Sequence, residues 1–320
     1  MDRTKKIRIV TFGVLVFFVL VIVAGVLSRT EDIGPLKEEG KVAVIRVSGP
    51  IVGGSGDDFS LSGTQTATSG ALMKQFRKAR MDDSVKAVLL RLDSPGGSTA
   101  ATQEAATELQ RLKETGKPVI VSMGDTAASG AYWLAAYGDK VYANPSTITG
   151  SIGVYMSYYD LQGLSKKVGV KEEKIKSGAH KDIFSPFRPM TDDERQLTQT
   201  MVNNMYDQFV TVVAKERHMD EQKVRALADG RVFTGQQALD AGLVDEMGNY
   251  YDALAYAGQL IGDDDPDKVP TVTYDDTPTL QQLLQGKITA LPTWQALLSQ
   301  TGSGANIHLP LLLMKGVWQQ

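Results

Sequence analysis

The chain has 320 residues, 42% of them hydrophobic and 22% charged, with a formal net charge of −3. Such proportions belong to a globular protein and exclude a disordered or fibrous chain, while the near-neutral balance lacks the basic footprint of a nucleic-acid binder. The sequence contains no cysteine, which excludes disulfides, thiol chemistry and lipid attachment at a cysteine.

Residues 9–28 carry no charge and are almost wholly apolar. As a helix they span about 30 Å, the hydrocarbon thickness of a bilayer. Arg3, Lys5, Lys6 and Arg8 precede them, which predicts a cytoplasmic N-terminus and an exported remainder. The rival is a cleaved signal peptide. The run is long for one, and Ala24-Gly25-Val26 is a poor cleavage site. The expectation is a retained single-pass anchor within residues 1–28, at the cell membrane. Residues 29–40 are polar with Gly and Pro and read as a linker.

Residues 41–48 alternate, carry β-branched side chains and predict a strand. Residues 53–70, rich in Gly, Ser, Thr and Asp, predict a loop. A helix is expected over 71–79, a strand over 85–92, a helix over 100–114 and a strand over 118–122. Residues 129–137 suit a buried helix and 140–143 a short strand. Strands alternating with helices at this spacing imply a largely parallel α/β sheet with flanking helices. From about residue 191 a helical extension follows. Thr191 and Glu194 form a capping box that opens a long helix to about His218, and 220–228 is a shorter one. A catalytic domain is therefore assigned to 41–262. Residues 263–320 are a less regular tail of unassigned role, whose last apolar run is too short to span a membrane.

Ser129 lies among small residues, Ala127, Ala128, Gly130 and Ala131. A serine opening a helix reads as an N-cap. It also reads as a nucleophile, because small neighbours admit a substrate backbone and the Gly130 N–H at a helix start favours developing negative charge. A serine hydroxyl needs a base. None of the three histidines, His180, His218 and His308, stands in a recognisable triad context, and the chain has neither a Gly-x-Ser-x-Gly elbow nor a Ser-x-x-Lys motif. Lys181, flanked by Gly178 and Ala179 and followed by an apolar stretch, is the alternative base; a surface charge is its plain reading. Burial leaves such an amine neutral. Ser151 is a candidate to aim it, or a turn serine. Asp93-Ser94-Pro95-Gly96-Gly97 reads as a simple strand-to-helix turn or as an oxyanion site. No phosphate-loop spacing is complete, and the acidic pairs lack the spacing of metal ligands. Neither a metal nor a cofactor is expected.

These motifs, taken in order, resemble the signal peptide peptidase A family in its short bacterial form. The likeness rests on Ser-Pro-Gly-Gly at 94–97, Ala-Ala-Ser-Gly-Ala-Tyr at 127–132, Thr-Gly-Ser-Ile-Gly-Val at 149–154, Ser-Gly-x-x-Lys-Asp at 177–182, Arg-Pro-Met-Thr at 188–191, and the glycine-bearing segments at 230–235 and 242–245. The resemblance implies a Clp/crotonase-like fold, a membrane anchor and a Ser129–Lys181 dyad. It also implies Gly96 and Gly130 as oxyanion donors, with Gly97 a possible substitute for Gly96, and Ser151 holding the lysine. It further implies an eight-subunit ring that degrades remnant signal peptides and other short or unfolded chains. Tyr132, Trp133 and Phe184 are expected to line side-chain pockets, or else to be core. The rivals are a crotonase-like enzyme acting on acyl-CoA and a membrane scaffold without activity.

Overall fold

The computed structural model describes residues 40–55, 66–263 and 265–274, which form one compact unit. The expected anchor and nearly all of the linker lie outside the described residues, as does the chain beyond 274. Among the described residues no helix is long and apolar enough to cross a membrane.

The main sheet runs in the order β10 (Thr271–Val272), β1 (Lys41–Ser48), β4 (Val85–Ser94), β5 (Val119–Ala128), β6 (Lys140–Ala143) and β9 (Glu246–Met247), every pair parallel. The C-terminal half of β5 leaves β6 and pairs with β7 (Ile148–Gly150), which pairs antiparallel with β8 (Val232–Thr234). A two-stranded ribbon of β2 (Ile51–Val52) and β3 (Ala67–Thr68) lies apart.

Helices cover both faces. On one face Ala43, Ile45, Val88, Leu90 and Val121 pack with helices α1 (Ser69–Met81), α2 (Thr99–Lys113), α3 (Gly130–Ala136) and α5 (Asp192–Glu216). On the other, Val42, Val44, Leu89 and Ile120 meet Ala253, Leu254 and Ala257 of α8 (Tyr250–Ile261). This explains why β1 is buried almost throughout. A parallel strand sandwiched between helix layers hides both of its faces. Each fully buried leucine or isoleucine there contributes roughly 1.5–3 kcal/mol of transfer free energy.

Most boundaries moved by one or two residues, and the predicted loop over 53–70 also holds β3 and the start of α1; two moved further. Strand β5 continues six residues past the predicted end, to Ala128. Met123-Gly-Asp-Thr-Ala-Ala128 has little strand propensity; its pairing with β7 and the Thr149 Oγ1 hydrogen bond to the Ala127 carbonyl (2.7 Å) hold it extended. The sheet also reaches beyond residue 262, since β10 adds an edge to β1.

The long helix α5 opens at the predicted capping box. Thr191 accepts from the Glu194 N–H at 3.2 Å, and Glu194 accepts from the Thr191 N–H at 2.9 Å. It is followed by α6 (Glu221–Leu227) and α7 (Gly235–Ala241). Between β7 and α5 runs a largely exposed stretch carrying α4 (Gln162–Val168), none of whose residues is buried, and a single 3₁₀ turn, Ala179–Asp182.

Candidate active site

The site lies at the carboxyl ends of β4, β5 and β7, where a parallel sheet presents its loops. Strand β5 delivers Ser129 directly into α3. The turn is so sharp that Ser129 takes φ 54° and ψ −122°. A non-glycine residue at positive φ is strained, by roughly 1–3 kcal/mol. Its hydroxyl makes no cap hydrogen bond, although Ser129 occupies the N-cap position. The capping reading therefore fails: this side chain does nothing for the helix. Its backbone is pinned instead, the Ser129 N–H donating to the Gly150 carbonyl at 2.8 Å.

The glycine turn after β4 packs against this serine. Gly96 has φ +90°, and a Cβ there would meet the Gly130 nitrogen at 2.5 Å and the Ser129 Cβ at 2.8 Å. The Gly96 N–H is already committed to the buried Ser94 hydroxyl at 3.1 Å. Gly96 is the glycine expected as an oxyanion donor, with Gly97 its substitute; here its N–H is engaged, and its missing side chain lets the two loops touch. Gly97 is fixed from behind by Ile51, whose N–H donates to the Gly96 carbonyl and whose carbonyl accepts from the Ser98 N–H, both at 2.8 Å. The Gly97 nitrogen lies 3.4 Å from where a Cβ on Gly130 would stand. No described residue accepts from the N–H of Gly97 or of Gly130. Two unengaged donors thus sit side by side next to the serine.

Ser151 follows β7 at φ 49°, its N–H held by the Arg231 carbonyl at 2.9 Å. It lines, with Ser129, a groove of about 570 Å³ that runs past Gly153 and Tyr155 to Asn203 and Tyr206 of α5. A recess of about 10 Å³ beside Ser129 is lined by Gly97, Thr102, Gly130, Trp133, Val154 and Phe209. The Trp133 and Phe209 rings pack tilted at 31°, their centroids 4.8 Å apart, and so tie α3 to α5. A second groove of about 580 Å³, between α2, α3 and α5, does not include Ser129.

Of the residues expected at the site, Ser129, Gly96, Gly97, Gly130 and Ser151 come together. Lys181 is not among the residues lining either cavity; it sits exposed on the 3₁₀ turn. His180, its exposed neighbour, lies with Nε2 3.5 Å from an Asp193 oxygen, and neither it nor His218 lines the groove. Trp133 is buried in the core and also borders the recess. Tyr132 is core: it is fully buried, its hydroxyl donates to the Leu243 carbonyl at 2.9 Å, and burial pushes that phenol well above its ordinary pKa. Phe184 lies exposed beside the Lys181 turn.

Sequence reasoning missed Arg188 as a functional group, quoting it only within a motif. Its guanidinium donates to both carboxylate oxygens of Asp182 (3.0 and 2.8 Å) and to both of Glu194 (2.8 and 2.6 Å). These charge-assisted bonds hold the Glu194 carboxyl down at about 2 and the Asp182 carboxyl well below its usual range.

A model of peptidase family S49 matches residues 111–262, which take in Ser129, Gly130, Ser151 and Lys181. A protein of Synechocystis sp. named as a protease is 41% identical over 253 residues, 79% of this chain and 86% of that protein. Protease 4 of Haemophilus influenzae is 39% identical over 221 residues, 69% of this chain and 35% of the relative. A protein of Enterococcus faecium bearing the name signal peptide peptidase SppA is 43% identical over 182 residues, 57% of this chain and 53% of the relative. The chain thus spans about a third to a half of the latter two.

Proposed function

From the premise that the chain belongs to peptidase family S49 and is a serine peptidase, we propose that Ser129 is its nucleophile and Lys181 its general base. The observation that carries the first assignment is the strained Ser129, uncapped, beside the unengaged N–H groups of Gly97 and Gly130. Strand, sharp turn and helix present a hydroxyl in the manner of other serine hydrolases, without the elbow motif.

The reaction is acyl transfer. The amine of Lys181 takes the Ser129 proton as Oγ bonds to the peptide carbonyl carbon. The resulting oxyanion is met by the Gly97 and Gly130 N–H groups. Lys181 then gives its proton to the leaving amine as the C–N bond breaks, and the peptide's C-terminal part departs. Water, deprotonated by the same amine, releases the acyl group and restores Ser129. Ser151, which lines the Ser129 groove, is the side chain that would hold the amine once Lys181 is brought to it.

A lysine acts as a base only where water is excluded from it. Lys181 is exposed in a single chain, on a stretch that also exposes Tyr155, Tyr159, Leu164, Val168 and Ile175. That apolar surface supports self-association, with a second copy covering the Lys181 stretch. In keeping with the family resemblance, the proposed assembly is a ring of eight with a Clp/crotonase-like subunit. The apolar residues 9–28 support a single-pass anchor with the catalytic domain outside the cytoplasm. Substrates are short or unfolded peptides, remnant signal peptides among them, as the name of the Enterococcus relative suggests.

Full-length protein in detergent, treated with a serine-directed fluorophosphonate, should gain one adduct per chain, mapped by mass spectrometry to Ser129. Adduct on another serine, or none with active protein, overturns the nucleophile. Ile175→Asp should shift sedimentation toward smaller species and lower turnover in parallel; unchanged sedimentation removes this surface from the assembly.

A further inference from the structure

The turn that carries Lys181 has little of its own to hold it. Residues 171–181 are all exposed. The turn's own hydrogen bonds, from the Lys181 N–H to Gly178 and from the Ile183 N–H to His180, are long at 3.3 and 3.2 Å. A single 3₁₀ turn without apolar burial has poor hydrogen-bond geometry and no packing to fix it.

Its next residue, Asp182, is anchored. Arg188 grips both carboxylate oxygens, and donates to the Asp182 carbonyl at 3.2 Å. With the rest of the guanidinium it grips Glu194, the capping residue in the first turn of α5, and the Pro189 carbonyl at 3.0 Å. The Glu194 side chain is 3% exposed and the Asp182 side chain 10%. Lys176 adds a further bond to Asp182 at 2.6 Å and donates to the Ala179 carbonyl at 2.8 Å. One planar cation therefore joins the residue after Lys181 to the start of a rigid helix, which lines the Ser129 groove through Gln199, Val202, Asn203 and Tyr206.

We propose that Arg188 is a positioning residue for catalysis, fixing Lys181 by clamping Asp182 to Glu194 at the start of α5. This rests on the reading of Lys181 as the base. A base must be held to about half an ångström, and misplacement by about 1 Å costs on the order of 100-fold in rate. A lysine at 188 keeps the charge but loses the planar fork that reaches two carboxylates at once.

The test measures hydrolysis of a leucine-containing peptidyl aminomethylcoumarin by full-length Arg188→Lys and Arg188→Met, with circular dichroism and thermal melting beside it. The expected result is a fall in kcat of about 30- to 100-fold with KM within about twofold, from folded protein. Millimolar guanidinium should restore kcat at least about fivefold in Arg188→Met and leave Lys181→Ala unaffected. Should Arg188→Met not fold, Asp182→Asn keeps the shape of the turn and should lower kcat alone. A kcat within threefold of the parent in the folded variants, or a rise in KM that accounts for the loss, overturns the proposal. Lys181→Ala, run alongside, separates the two ideas. If it turns over normally, the base assignment has failed. If it is inactive while the Arg188 variants are active, only the clamp has failed.

Discussion

Ser129→Ala and Lys181→Ala are each expected to lower kcat by about 10³-fold or more, and the double variant is expected to fall little further. Residues that act as one unit lose their joint effect when either is removed, leaving the contribution of substrate binding and the oxyanion donors. Neither change should unfold the protein. The Ser129 hydroxyl makes no cap bond, and Lys181 is exposed; substitutions that touch so little usually stay within about 0.5 kcal/mol. Ser129→Gly sharpens the point. It should be equally inactive and more stable by about 1 kcal/mol, because glycine adopts φ 54° without the cost that a Cβ brings. Steady-state kinetics with thermal melts measure both. A kcat within tenfold of the parent in Ser129→Ala sinks the nucleophile, and the same result in Lys181→Ala sinks the base.

Gly97→Ala should lose both activity and stability. A methyl group there would stand 2.0 Å from the Ile51 carbonyl oxygen. Ile51 cannot yield, since it is fully buried and bonded on both sides to the glycine turn. The turn must move away, carrying the Gly97 N–H off the position beside Gly130. Loss of one oxyanion donor costs about 10²–10³ in kcat, and overpacking a tight contact costs about 1–3 kcal/mol. Ser94→Ala makes a milder comparison, as it removes only the hydroxyl that holds the Gly96 N–H. If Gly97→Ala keeps near-normal kcat, its N–H is not an oxyanion donor.

The alternating elements, the capping box at Thr191 and Glu194, and the four β-rich runs were legible because they are local. Each is a pattern of adjacent side chains, and adjacency is what a sequence records. Where the pattern was weak, tertiary pairing decided. The end of β5 has no strand propensity worth the name, yet its ladder to β7 keeps it extended as far as Ser129. From the sequence Gly96 was the expected donor and Gly97 its substitute. The Ser94 hydroxyl and the Ile51 backbone distinguish them, one N–H engaged and the other not. Tyr132 and Trp133 were equally good pocket residues on paper, and the helix turn sends one to the Leu243 carbonyl and the other to Phe209.

The order of the motifs was enough to identify a serine peptidase of the signal peptide peptidase A family and to make Ser129 the candidate nucleophile, because chemistry of this kind is carried by residue types at set places along the chain. The amino-acid order did not disclose the strain at Ser129, the two unengaged N–H groups, or the grip of Arg188 on two distant carboxylates. Those depend on backbone angles and on segments brought together from far apart, which only the packed sheet and its helices determine.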